Sequence, residues 1–126
     1  TESLLQALDF KPTERIFFKT KTHYDAYTFE PNYTVFTPEA IAYLAQRGVR
    51  VIGTDAPSID ALTDSSLRAH HMCKELNMYI IENLWLKDVS QGNYDFIGLP
   101  LALQGADASP IRAVIKKQAI VSGDNA

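Results

Sequence analysis

The sequence predicts a mixed α/β fold: a mixed sheet, partly parallel and partly antiparallel, with flanking helices. Three observations predict it. Short runs rich in β-branched and aromatic residues alternate with helically periodic segments through the middle of the chain, the pattern of strand–helix–strand units. Those helical segments carry start and stop residues where helices need them. The last two apolar runs are joined by the turn-forming stretch 105–110 (GADASP), which argues for an antiparallel pair.

In chain order, Leu4, Leu5 and Leu8 make a short helical stripe that ends near Lys11-Pro12. Residues 15–20 (RIFFKT) read as a strand with a continuous apolar centre. Residues 21–35, rich in Tyr, Thr and Asn, have weak periodicity and read as a long loop with a short strand at 33–35. A helix starts at Thr37-Pro38-Glu39-Ala40. Thr37 can cap free N–H groups, Pro38 suits the first helical position, and Glu39 favours the positive end of the dipole. Gly48 is a good residue to stop it. Residues 49–53 (VRVIG) form the next strand, and 54–58 a polar turn at its carboxyl end. A second helix is expected over 66–76, ended by Asn77, followed by a strand over 78–82. A turn of helix is expected around 86–89. Residues 94–103 read as an apolar strand broken by Gly98 and Pro100, 111–117 as the last strand, and 119–126 as a polar, flexible tail.

Length and composition bound the function. A chain of 126 residues is one domain by its length and can bury a core without disulfides or a structural metal. Its 46% hydrophobic and 21% charged content is that of an ordinary globular protein. Twelve basic against 15 acidic side chains give a net charge of −3, too mild to attract nucleic acid or an anionic membrane. The apolar stretches fall short of a membrane span, and no signal-peptide pattern opens the chain. Cys73 is the single cysteine, which favours a reducing, cytoplasmic setting. The first residue is Thr1 rather than methionine, so the chain is expected to be part of something longer.

Three constellations could carry chemistry. Gly53 to Asp60 (GTDAPSID) lies at the carboxyl end of the expected central strand, where sites of open α/β sheets collect. Asp55, Ser58 and Asp60 put three polar groups there; an ordinary turn in which they satisfy local N–H groups is the competing reading. His70 and His71 stand twelve and eleven positions before Glu82, a carboxylate at the end of the apolar run Met78-Tyr79-Ile80-Ile81. Such a carboxylate is costly unless something positive meets it, and a divalent cation shared with an imidazole would serve. Helical neighbours diverge by about 100°, so only one of the two histidines can face a common ion. The competing reading is one surface and one core histidine. Trp85, Tyr79, Phe96 and the aromatics of the Tyr24–Tyr33 segment could line an aromatic pocket, against core or interface packing. His23 has no visible partner in the sequence. No Walker loop, dinucleotide glycine fingerprint, G-x-S-x-G elbow or zinc-finger spacing occurs.

The succession GTDAPSID, DSSLRAHH, IIENLWL and YDFIGLPLALQGADASPIRAVI resembles the carboxyl-terminal half of the cyclase-like metal-dependent hydrolases, and among them the arylformamidase branch. The resemblance runs from about Arg15 to Lys117, with four motifs in fixed order. It implies an α/β swivelling-type domain, usually homo-oligomeric. It also implies hydrolysis of N-formyl-L-kynurenine to L-kynurenine and formate in tryptophan degradation. Other amides or cyclic imides are the alternative substrates. The motifs imply His70 and Glu82 as ligands of a divalent metal, zinc first and manganese second. They imply His71 as a support that does not touch the ion, and Asp55, Ser58 and Asp60 as the substrate-facing floor of the site. No side chain of this chain is implied in proton transfer. The family's amino-terminal H-x-G-T-H-x-D, which supplies most of the ligands, has no match here. The missing part would be roughly 80 to 90 residues, about half a typical domain. The isolated chain is therefore expected to be an inactive folded fragment, with the absent half as a potential partner.

Overall fold

The computed structural model describes residues 2–7, 10–11 and 13–118; Leu8, Pro12 and the expected tail over 119–126 lie outside them. The chain divides into two compact units, Thr1–Lys87 and Asp88–Ala126.

In the first unit, α1 (Glu2–Gln6), β1 (Arg15–Phe18), α2 (Pro38–Gln46), β2 (Val51–Thr54), α3 (Arg68–Glu75) and β3 (Tyr79–Ile81) follow in order. The three strands form one parallel sheet with β2 in the centre. Ile16, Ile52 and Ile80 stand level across it, as do Phe17, Gly53 and Ile81. Alternation in a strand puts these two rows on opposite faces. The isoleucine row faces α2 and α3, which pack on each other. There it joins Ala40, Ile41, Leu44, Val49, Ile59, Ala69, Cys73 and Met78 in the core. Ile41, Leu44, Ile52 and Ile59 are sealed from solvent, and each contributes about 1.5–3 kcal/mol of burial.

Both helices hand the chain to the sheet by the same device. Thr37 caps α2 by accepting from the Ala40 N–H, as its sequence predicts. At its other end Val49 N–H bonds to the Leu44 carbonyl and Gly48 N–H to the Ala45 carbonyl, with Gly48 at φ +88. This is the paired closure that a left-handed residue after a helix makes possible. At the end of α3, Met78 N–H bonds to Cys73 and Asn77 N–H to Lys74, with Asn77 at φ 52. Val49 and Met78, the residues carried past each closure, are buried. The closures use the N–H groups of Val49 and Met78, so β2 begins at Val51 and β3 at Tyr79, later than the periodicity suggests.

Other boundaries move for equally local reasons. β1 stops at Phe18 rather than Thr20 because the Thr20 and Lys21 N–H groups turn to the Asp55 carboxylate. The second helix starts at Arg68 rather than Ser66 because Asp64 accepts from the Ser66 N–H in a tight turn and Leu67 adopts φ 48. Residues 33–35 form no strand; Phe36 N–H makes a single bond to the Ile59 carbonyl. No turn of helix forms over 86–89; the Lys87 carbonyl accepts from Lys19 Nζ at 2.7 Å instead.

The second unit is an antiparallel ribbon of β4 (Tyr94–Pro100) and β5 (Ile111–Lys117), paired from Tyr94 with Lys117 to Pro100 with Ile111. The expected antiparallel pair is present. β4 runs through Gly98 unbroken because the Phe96 ring lies over it, so close that an added Cβ would meet the ring at 2.7 Å. It ends at Pro100, which has no N–H to extend a ladder. Ile97, Leu99 and Val114 are exposed on one face of this ribbon.

At Gly53, in the middle of the parallel sheet, a Cβ would stand 2.4 Å from a ring carbon of Phe17 and 2.8 Å from a Leu84 methyl. Gly53→Ala is therefore expected to destabilise the first unit by about 1–3 kcal/mol, read as a lower urea midpoint with an unchanged slope.

Candidate metal centre

The carboxyl ends of β1, β2 and β3 lie along one edge of the parallel sheet, because parallel strands share a direction. Asp55 follows β2 directly and Glu82 follows β3 directly. Asp55, Ser58, Asp60 and Glu82 are on the segments that follow these strands, where an α/β sheet places its ligands, whereas His70 and His71 are on α3.

Asp55 is buried. Its two oxygens accept from Thr20 N–H at 2.9 and 3.0 Å, from the Thr20 hydroxyl at 2.7 Å, from Lys21 N–H at 3.0 Å and from the Tyr24 hydroxyl. Burial pushes its pKa up, but the bonds from Tyr24, Lys21 and Thr20 together outweigh burial and hold the carboxyl below its ordinary value. The Tyr24 phenol moves the other way, raised by burial and then by the bond to a neighbouring carboxylate. Asp55 thus fastens the loop after β1 to the end of β2. Ser58 Oγ accepts from Asp60 N–H at 3.2 Å within its own turn.

Asp60 is also buried, and its donors come from α3. Oδ1 accepts from Ala69 N–H at 2.8 Å, and Oδ2 from His70 N–H at 3.0 Å. Leu67, at the amino-terminal boundary of α3, supplies no side-chain cap. Asp60 therefore does that work from nine residues upstream, meeting N–H groups that the first turn leaves free. The same Oδ2 lies 2.7 Å from His70 Nδ1. Burial raises the Asp60 pKa, and the bonds from Ala69 and His70 bring it below its ordinary value.

His70 Nε2, the other ring nitrogen, lies 3.4 Å from Glu82 Oε1. Glu82 Oε1 also accepts from the Ile59 N–H at 3.0 Å, which fixes the carboxylate against the loop after β2. The imidazole and carboxylate side chains are each about 30% exposed, at 33% and 28%, so an ion from solvent can reach them. A four-coordinate divalent ion with Zn–N and Zn–O bonds of about 2.0–2.2 Å separates a nitrogen and an oxygen ligand by about 3.4 Å. The pair fits that edge. Among the described residues no group of three or more His, Cys, Asp and Glu side chains is placed to hold a metal ion. The two donors are an incomplete set.

The other expected residues divide. His71, one position along α3, is exposed, as the angular argument requires of one histidine. Trp85 and Tyr24 meet edge to face, with ring centroids 5.3 Å apart. Together with Lys21, Asp55, Pro57 and Asn83 they line an open groove of about 450 Å³. Asn83 is next in sequence to Glu82. Tyr79, at the opposite end of β3 from Glu82, is 74% exposed, and Phe96 belongs to the second unit. Sequence reasoning missed Thr20 and the Ile59 N–H, and saw Tyr24 only as an aromatic. Cys73, one turn beyond His70, is buried, and burial followed by the charges of Asp60 and Glu82 pushes its thiol up to about 12. It stays a neutral core thiol.

The first unit is thus a parallel α/β sheet with an imidazole–carboxylate pair at its carboxyl edge. Comparisons with known proteins show what the chain is similar to. Residues 2–61 match the family model described as a putative cyclase. The chain is 41% identical to the kynurenine formamidase of Bordetella avium over 92% of its own length and 55% of that protein's. It is 40% identical to the kynurenine formamidase of Bacillus cytotoxicus over 89% of its length and 54% of that protein's. Among solved structures it superposes on a potential metal-dependent hydrolase with cyclase activity at a TM-score of 0.79 and 32% identity, covering 94% of this chain and 58% of the other. A predicted metal-dependent hydrolase from Bacillus stearothermophilus gives 0.76 and 34%, covering 91% and 55%. The chain is similar to the cyclase-like metal-dependent hydrolases, the family its motifs resemble. It spans slightly more than half the length of the curated relatives it matches.

The role of Asp55 has a measurable consequence. Its native pKa is lowered, so its contribution is fully present above the unfolded value and is lost as pH falls through the native one. Asp55→Asn is expected to cost about 3 kcal/mol at neutral pH. The gap between native protein and variant should close as pH falls below about 4, measured by urea unfolding across pH.

Proposed function

We propose that this chain supplies the carboxyl-terminal half of a formamide hydrolase, in which His70 and Glu82 are two ligands of a divalent metal. Zinc suits the imidazole–carboxylate donors first, and manganese second. The observation that carries the reading is the 3.4 Å gap between His70 Nε2 and Glu82 Oε1, with each donor anchored from behind. A bound divalent cation supplies Lewis acidity toward a carbonyl oxygen and makes water nucleophilic at neutral pH.

The chain's own residues supply position. Glu82 is held by the Ile59 N–H, so its carboxylate needs no reorganisation to meet a cation. Asp55 lines the groove itself, and Ser58 and Asp60 fix the loop after β2. Trp85 and Tyr24 offer an edge-to-face aromatic wall on which an anilide ring can stack. N-formyl-L-kynurenine, the substrate that the resemblance implies, carries such a ring next to its formamide. The reading extends to a role in tryptophan degradation, a cytoplasmic setting and a homo-oligomeric assembly. No helix among the described residues is long and apolar enough to cross a membrane.

Two donors do not make a complete hydrolase site, so the isolated chain is proposed to bind metal weakly and turn nothing over. The test adds the amino-terminal half of a kynurenine formamidase, which carries H-x-G-T-H-x-D, to the purified chain in the presence of zinc or manganese. The mixture is expected to release kynurenine from N-formyl-L-kynurenine, and the chain alone is not. Glu82→Gln should lower kcat/KM in the mixture at least 100-fold, together with metal content. Hydrolysis of cyclic imides with none of the formamide would replace this reading with that of an imide hydrolase.

A further inference from the structure

The buried carboxylate of Asp60 contacts two things at once: the first N–H groups of α3 and the Nδ1 edge of the His70 ring. Carboxylates only accept hydrogen bonds, and Asp60 Oδ2 at 2.7 Å is within bonding distance of the ring where Glu82 Oε1 at 3.4 Å is barely so, which favours the proton on Nδ1 in a neutral ring. Nε2 is then a bare lone pair, and it is the atom that faces Glu82 Oε1. Without Asp60 nothing described on the Nδ1 side selects that tautomer, and a proton on Nε2 would instead be donated to Glu82 and occupy the position of a cation. The two backbone bonds matter as well. They hold the Cα of His70 at a fixed height on α3, so backbone and ring of one residue are gripped by one oxygen pair.

We propose that Asp60 is a positioning residue: it fixes the tautomer and direction of His70 so that Nε2 and Glu82 Oε1 are presented as a ready pair of donors. This rests on the reading of His70 and Glu82 as ligands, and it assigns Asp60 a task other than contact with substrate. A carboxylate behind a metal-bound histidine orients the ring and raises its basicity, and losing one typically costs 10–100-fold in metal affinity.

The test uses the metal-free 126-residue chain with isotopically labelled imidazole nitrogens, at a pH where the rings are neutral. In the native chain the nitrogen spectrum of His70 is expected to show a protonated Nδ1 and a bare Nε2. In Asp60→Asn, whose side-chain oxygen can still accept from a backbone N–H, the Nε2–H form should gain population. Zinc affinity, measured with zinc ion alone, should fall 10–100-fold. A native ring protonated on Nε2 overturns the proposal. So does a variant that loses thermal stability, as any weakened helix cap would, while keeping the native tautomer and zinc affinity. If Asp60→Asn does not fold, the native spectrum decides alone. If the native chain shows the Nδ1–H ring but neither it nor its mixture with the amino-terminal half binds zinc, the ligand reading fails and the positioning of the ring by Asp60 stands.

Discussion

Two buried carboxylates, Asp55 and Asp60, must be met by hydrogen-bond donors, and the loops of the first unit are arranged around that requirement. An ionised side chain without partners costs several kcal/mol in such a place. Each aspartate therefore collects N–H groups from a segment distant in sequence. Asp55 gathers the loop after β1, and Asp60 gathers the start of α3. No buried side-chain nitrogen or oxygen among the described residues lacks a partner. The bonds that satisfy Asp60 also decide where His70 comes to rest, while the Ile59 N–H holds Glu82.

The apolar core does a simpler job. The isoleucine row across the parallel sheet and the helix residues above it bring the three carboxyl ends into line. Gly53 then lets Phe17 and Leu84 close over the opposite face. Packing sets the coarse position of the loops, and directional hydrogen bonds set the fine position of the two donors. Burial is proportional to area and has no preferred angle, whereas a bond to Nδ1 at 2.7 Å does.

Much of this was legible in the residues. Thr37-Pro38-Glu39 and Gly48 mark the two ends of α2 because capping acts within a few positions. The GADASP stretch marks the antiparallel ribbon for the same reason. The helical angle allowed only one of the two histidines to face a common ion, and the family resemblance chose His70. What escaped is longer in range. Nothing local ties Asp55 to Thr20, 35 residues away, or says that Glu82 would lean on the Ile59 N–H. The run through Gly98 escaped because a glycine reads as a break unless the ring that covers it is known. Strand ends were misplaced by one or two residues wherever an aspartate or a helix closure claimed the N–H that a ladder would have used.

Leu67 carries a further consequence. A leucine with φ 48 is in a conformation that L-residues adopt at a cost of about 1–2 kcal/mol, and it sits immediately before the turn that bears His70. That turn is held by tertiary bonds to Asp60 rather than by its own sequence, so it is a natural place for the molecule to open locally without melting the sheet. Amide exchange at Ala69 and His70 would then run ahead of exchange in β2. The donor pair would exist only for the fraction of time that this small segment is shut, and a cation held there would act as a clasp on it.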